Sequence, residues 1–103
     1  MNEQQRAIAA VQGYITEQVI VTPDEAAPGA SEHVLYTVRV SLRGDDPGVT
    51  LTPDAPSVPE RGRVLLEAHR LLERRRARAT LETDGQMLTQ ALIGVTREID
   101  ALP

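Results

Sequence analysis

The sequence predicts an α+β domain of two layers, a small and mostly antiparallel sheet of three or four strands packed by helices. Three observations carry that prediction. Residues 33–43 alternate Val34, Tyr36, Val38, Val40 and Leu42 with Leu35, Thr37, Arg39, Ser41 and Arg43, the period of a half-buried strand. Val64, Leu65, Ala68, Leu71 and Leu72 recur at the spacing of one buried helical face. Leu88, Ala91, Leu92, Val95, Ile99 and Leu102 form a second such stripe. A sheet with one apolar face and helices with one apolar stripe must bury those surfaces against each other.

In chain order, residues 2–14 read as a helix whose face holds Ala7, Ile8, Val11 and Ile15, with Gly13 weakening it. The composition then turns β-branched (YITEQVIVT), which predicts a strand over 17–22, ended by Pro23. Residues 23–32 are an acidic loop of small residues. The alternating strand follows, then a turn at Gly44-Asp45-Asp46-Pro47-Gly48 and a short third strand over 49–52. The Thr-Pro-Asp at 22–24 recurs at 52–54, an echo that shared turn chemistry explains.

Ser57 followed by Glu60 is a capping-box spacing, with Pro59 suited to the first helical turn. The apolar stripe of that central helix ends near Leu72, because Arg75 falls on the same face. Arg74, Arg75 and Arg76 crowd the end of the helix, where its dipole favours cations. Ala77, Ala79, Leu81 and Thr83 then alternate with Arg76, Arg78, Thr80 and Glu82, which predicts a strand over 77–83. Thr83 or Asp84 is placed to cap the last helix. The expected order is α-β-β-(β)-α-β-α, in one domain spanning 1–103.

Composition narrows the function. The chain has no Phe, Trp or Cys, and its only aromatics are two Tyr, so Val, Leu, Ile and Ala must fill the core. A chain of this size buries about two thirds of its unfolded surface, enough for one core. Without cysteine there is no disulfide framework and no thiolate metal site. No apolar run is long enough to span a membrane, and no basic-then-apolar leader opens the sequence. A cytoplasmic protein without membrane contact is expected.

The net charge of −4 argues against general nucleic-acid binding, but the charge is uneven. Residues 1–57 hold 3 Arg and 8 acids, for −5, and residues 58–103 hold 8 Arg and 7 acids, for +1. Seven of the eleven arginines lie between Arg61 and Arg78.

No catalytic signature accompanies this pattern. His69 and Glu73 are spaced as two metal ligands or as an ordinary solvated helical pair, and no third ligand has matching spacing. Asp45, Asp46 and Asp54 lack the order of a calcium loop. Ser31, Ser41 and Ser57 lack a nucleophile-elbow context. Neither a metal nor a cofactor is expected.

The one charged constellation is Arg74-Arg75-Arg76-Ala77-Arg78. It lacks the interleaved aromatics that stack bases. Leu66 and Ile93 sit on the wet sides of regular helices. Together these residues predict a non-catalytic interaction or assembly subunit, which self-associates or docks onto other protein subunits. Its contact residues would be Leu66, Arg74, Arg75, Arg76, Arg78 and Ile93. The alternative is a nucleic-acid-binding module using the Arg-rich segment 70–78.

Overall fold

A computed structural model describes residues 13–22, 33–42 and 48–103. Three strands, β1 (Tyr14–Val21), β2 (Val34–Ser41) and β3 (Val49–Thr52), form one antiparallel sheet in the order β1-β2-β3. Two helices follow, α1 (Val58–Arg78) and α2 (Glu82–Asp100). The fold is α+β, with α1 packed over β1 and β2, and α2 over β2 and β3. The helix expected over 2–14 lies outside the described residues as far as residue 12. At its end, Gly13 has φ 74, a left-handed value that suits glycine, and Tyr14 opens β1.

The alternation in β2 settles which face is covered. Tyr36, Val38 and Val40 are buried, Val34 and Leu42 are half-buried against the core, and Leu35 and Arg39 are exposed. In β1 the same period puts Ile15 and Val19 in the core with Glu17 between them. Val64, Leu65, Ala68 and Leu72 of α1, and Leu88, Ala91, Leu92 and Val95 of α2, close the layer. The helices run antiparallel. A Cβ on Gly62 near the start of α1 would meet Leu102 Cδ1 at 3.4 Å, and Arg61 donates to Glu98 at 2.6 Å.

Two expectations need correction. The strand predicted over 77–83 does not form. Ala77 and Arg78 finish α1, residues 79–81 link the helices, and Glu82 and Thr83 begin α2. Ala, Arg, Leu and Glu are all helix formers, and their local preference won. Only Ala79 of that apolar row packs on the core, whereas Ala77, Leu81 and Thr83 are exposed. The cap of α2 is accordingly Leu81, which gives no side-chain hydrogen bond, rather than Thr83 or Asp84.

The capping box at α1 is half formed. Ser57 Oγ accepts from the Glu60 N–H at 3.3 Å, but the Glu60 carboxylate turns into the core. There it accepts from the Tyr36 hydroxyl, with Arg63 Nη2 3.9 Å from its other oxygen. A buried carboxylate is tolerable only when donors surround it, and this cluster ties β2 to the first turn of α1. Burial, and then the bond to Glu60, push the Tyr36 hydroxyl up to about 12.

Candidate functional site

The arginines of the segment 70–78 have different surroundings. Arg75 lies on the inward side of α1, as its place on the apolar stripe implies. Its Nη1 donates to Glu17 Oε2 at 2.7 Å and to the Thr16 carbonyl at 3.0 Å. Glu17 is the acid that interrupts the buried face of β1, so each ion accounts for the other. Arg70 is bonded to Glu67 on its own helix. That hydrogen bond holds the Glu67 carboxyl below its ordinary value, against a smaller opposing effect of burial. Arg74, Arg76 and Arg78 are exposed.

Leu66 and Ile93 occupy different grooves. Leu66, 58% exposed, shares a groove of about 420 Å³ with Ile20, Val21 and Thr22 at the end of β1 and with Arg63, Glu67 and Arg70 of α1. Ile93, 41% exposed, lies between the helices in a groove of about 320 Å³ with His69, Glu73, Arg76 and Arg97. Within it His69 Nδ1 stands 3.2 Å from Glu73 Oε1, a solvent-facing helical pair. Among the described residues no group of three or more His, Asp or Glu side chains is placed to hold a metal ion. Among the described residues no helix is long and apolar enough to cross a membrane.

The strand end beside Leu66 carries a feature that the sequence reading missed. β1 is an edge strand, and its hydrogen-bond parity follows from one contact. The Leu42 N–H donates to the Gly13 carbonyl at 2.7 Å, so Gly13 and Leu42 are a hydrogen-bonded pair of the β1–β2 ladder. Such pairs recur at every second residue of an antiparallel ladder. Ile15, Glu17, Val19 and Val21 therefore direct their backbone groups to β2. Tyr14, Thr16, Gln18 and Ile20 direct theirs outward. The Arg75 contact agrees, since it reaches the outward carbonyl of Thr16. Beyond that contact the edge at Gln18, Ile20 and Thr22 meets no backbone partner among the described residues.

On the open face of the sheet, Ile20 stands directly opposite Leu35 in the β1–β2 register. Ile20 is 63% exposed and Leu35 55%. They are the two most exposed large apolar residues of the strands and form one cross-strand pair. The alternation of β2 put Leu35 on the wet side, and nothing in the sequence said that Ile20 would lie beside it. At the other end of the same face, the Arg39 guanidinium covers the Tyr14 ring at 3.9 Å. Thr22 Oγ1 and His33 Nδ1, 2.9 Å apart, close the β1–β2 pair beyond Ile20.

No protein-family model, no curated protein and no solved structure matches this chain.

Proposed function

We propose that the protein is a non-catalytic assembly subunit of the cytoplasm that associates with copies of itself through the side where β1 meets α1. The observation that carries this reading is the coincidence of the Leu66 groove with a strand edge that meets no backbone partner among the described residues. An exposed strand edge is a template for pairing, and proteins ordinarily cover or charge it. Here the edge at Gln18–Thr22 adjoins exposed Ile20 and Leu66. Apolar surface supplies the affinity, at about 25 cal/mol per Å² buried. The surrounding Arg63, Glu67 and Arg70 add little, because exposed ion pairs contribute about 0–1 kcal/mol each.

The test is the mass in solution at high protein concentration and low salt. The expected species is larger than 11.2 kDa, and Leu66→Asp returns it to 11.2 kDa. Ile93→Asp, on α2 in the separate groove beside His69 and Glu73 of α1, leaves the assembly intact. A wild-type particle of 11.2 kDa under these conditions refutes the proposal.

One observation favours the second reading, a nucleic-acid-binding module. Arg74, Arg76 and Arg78 are exposed and form no ion pair among the described residues. Against it, Arg70 and Arg75 of the same segment are already bonded to Glu67 and Glu17. That reading requires the log of affinity for a polyanion to fall linearly with log salt, with Arg76→Ala reducing the slope.

A further inference from the structure

Resting on the self-association proposed above, we infer the geometry of the contact: β1 pairs antiparallel with β1 of a second copy about a two-fold axis at Ile20. The two sheets then become one continuous sheet.

Three independent features select this register. The first is parity. Only outward-directed residues can form the hydrogen-bonded pairs of the new ladder, so Gln18, Ile20 and Thr22 must face one another across it. The second is Arg75. It already holds the Thr16 carbonyl at 3.0 Å, so a ladder centred on Gln18, which would need Thr16, competes with an existing bond. Centring on Ile20 pairs Ile20 with itself and Gln18 with Thr22 in both directions, and leaves Thr16 to Arg75. The third is the apolar pair on the open face. Ile20 sits opposite Leu35 within the chain. Two copies related at Ile20 line up Leu35, Ile20, the partner's Ile20 and the partner's Leu35 in one unbroken cross-strand row. A shift to an axis at Val19 sets Ile20 against Gln18 instead, and breaks the row. Cross-strand apolar pairs of this kind are a main source of sheet stability.

The helical layer fits the same axis. The axis lies half a strand spacing outside β1, and α1 lies over β1 and β2. With strands about 4.8 Å apart, the two copies of α1 stand about 8–10 Å apart, the usual distance between packed helices. Leu66 lines the groove at the level of Ile20, Val21 and Thr22, so each Leu66 meets the other beside the axis. The rim carries both signs in Arg63, Glu67 and Arg70, which suits a patch that must complement itself.

The chain has no cysteine, so single cysteines report the register directly. Opposed Ile20 residues bring their Cα atoms within the roughly 7 Å that a disulfide requires. Two copies of Gln18, or of Thr22, are separated by about 14 Å along the strand. Under mild oxidation Ile20→Cys accumulates a linked species of twice 11.2 kDa. Gln18→Cys and Thr22→Cys alone remain at the level of random collision, while an equal mixture of the two links efficiently. The mixture retains Ile20, so it reads the register even where Ile20→Cys weakens the contact.

Equal linking of all three single variants, or linking of Gln18→Cys alone, overturns the register. If the wild-type chain is an oligomer that Leu66→Asp dissociates, the assembly reading survives that result. A wild-type chain that stays at 11.2 kDa overturns both.

Discussion

Replacing Tyr36 by Phe isolates the cluster that joins sheet to helix. The substitution removes one hydroxyl and keeps the ring, which is 1% exposed in the core. Its partner Glu60 is 5% exposed and loses its donor from β2, retaining Arg63 on one side. Leaving a buried acceptor short of a donor costs about 1–3 kcal/mol, with charged acceptors toward the upper end. For a domain of this length each kcal/mol lowers the melting temperature by roughly 4–8 °C. Urea unfolding followed by circular dichroism measures the loss, and the slope with denaturant should not change.

The pH dependence gives a second, sharper reading of the same substitution. The folded-state value of Tyr36 is raised to about 12 from an ordinary 10.0. Because it is raised, its contribution is complete below pH 10 and is lost as pH climbs through 12. Tyr36→Phe has no such group, so the gap between wild type and variant narrows across that window. Equal stability of the two proteins at neutral pH would refute the assignment of a structural role to this hydrogen bond. So would a gap that stays constant from pH 9 to pH 12.

Three further substitutions test the packing around the site. Arg75→Ala should cost about 1–3 kcal/mol, because Glu17 then faces the helical layer without its cation; chemical denaturation reads this. Gly62→Ala should be neutral or stabilising by up to about 1 kcal/mol, since the new methyl meets only the end of Leu102 at 3.4 Å and helix propensity improves. A large loss of melting temperature would show that the helices cannot yield there. Ser57→Ala should cost about 0.5–2 kcal/mol through the lost cap at α1, toward the low end because its bond to Glu60 is long at 3.3 Å.

Most of the fold was legible because its signals are local. Ser57, Pro59 and the stripe from Val64 to Leu72 mark α1 without reference to any other element. The alternation of β2 states its own buried face. The failed strand over 77–83 shows the limit of such patterns. Its alternating row straddles the end of one helix and the start of the next, and a seven-residue window cannot distinguish that from a pleat. The site was less legible, since it depends on register. Leu66 and Ile93 were visible as apolar residues on wet helical faces, but their separation into two grooves was not. Arg75 was visible as the residue that ends the apolar stripe of α1, and Glu17 as the start of a strand over 17–22, but neither pointed to the other. Matching them required the third dimension. The Ile20–Leu35 pair had no sequence signal, because two strands must be aligned before it exists.

The two edges of the sheet are treated differently, and that difference bears on what kind of assembly can form. β3 ends the sheet with only four residues, too short to template a long ladder. β1 has eight, and Arg75 occupies the outward carbonyl in its first half. Among the described residues the segment left open is therefore the second half, beside Leu66. A contact that uses one edge and is its own complement closes after two copies, because the paired edges are consumed. An assembly using both edges would be head to tail, and grows as an open filament unless its rotation closes a ring. Arg75 and the brevity of β3 act in the same direction, against an open filament. Arg75→Ala accordingly has an effect beyond stability: it frees Thr16 and makes a ladder centred on Gln18 available. In that background Gln18→Cys should begin to link to its own copy, where in the parent it does not. If Gln18→Cys linking is unchanged by the loss of Arg75, then the apolar row of Ile20 and Leu35 alone sets the register, and the guanidinium serves only to neutralise Glu17.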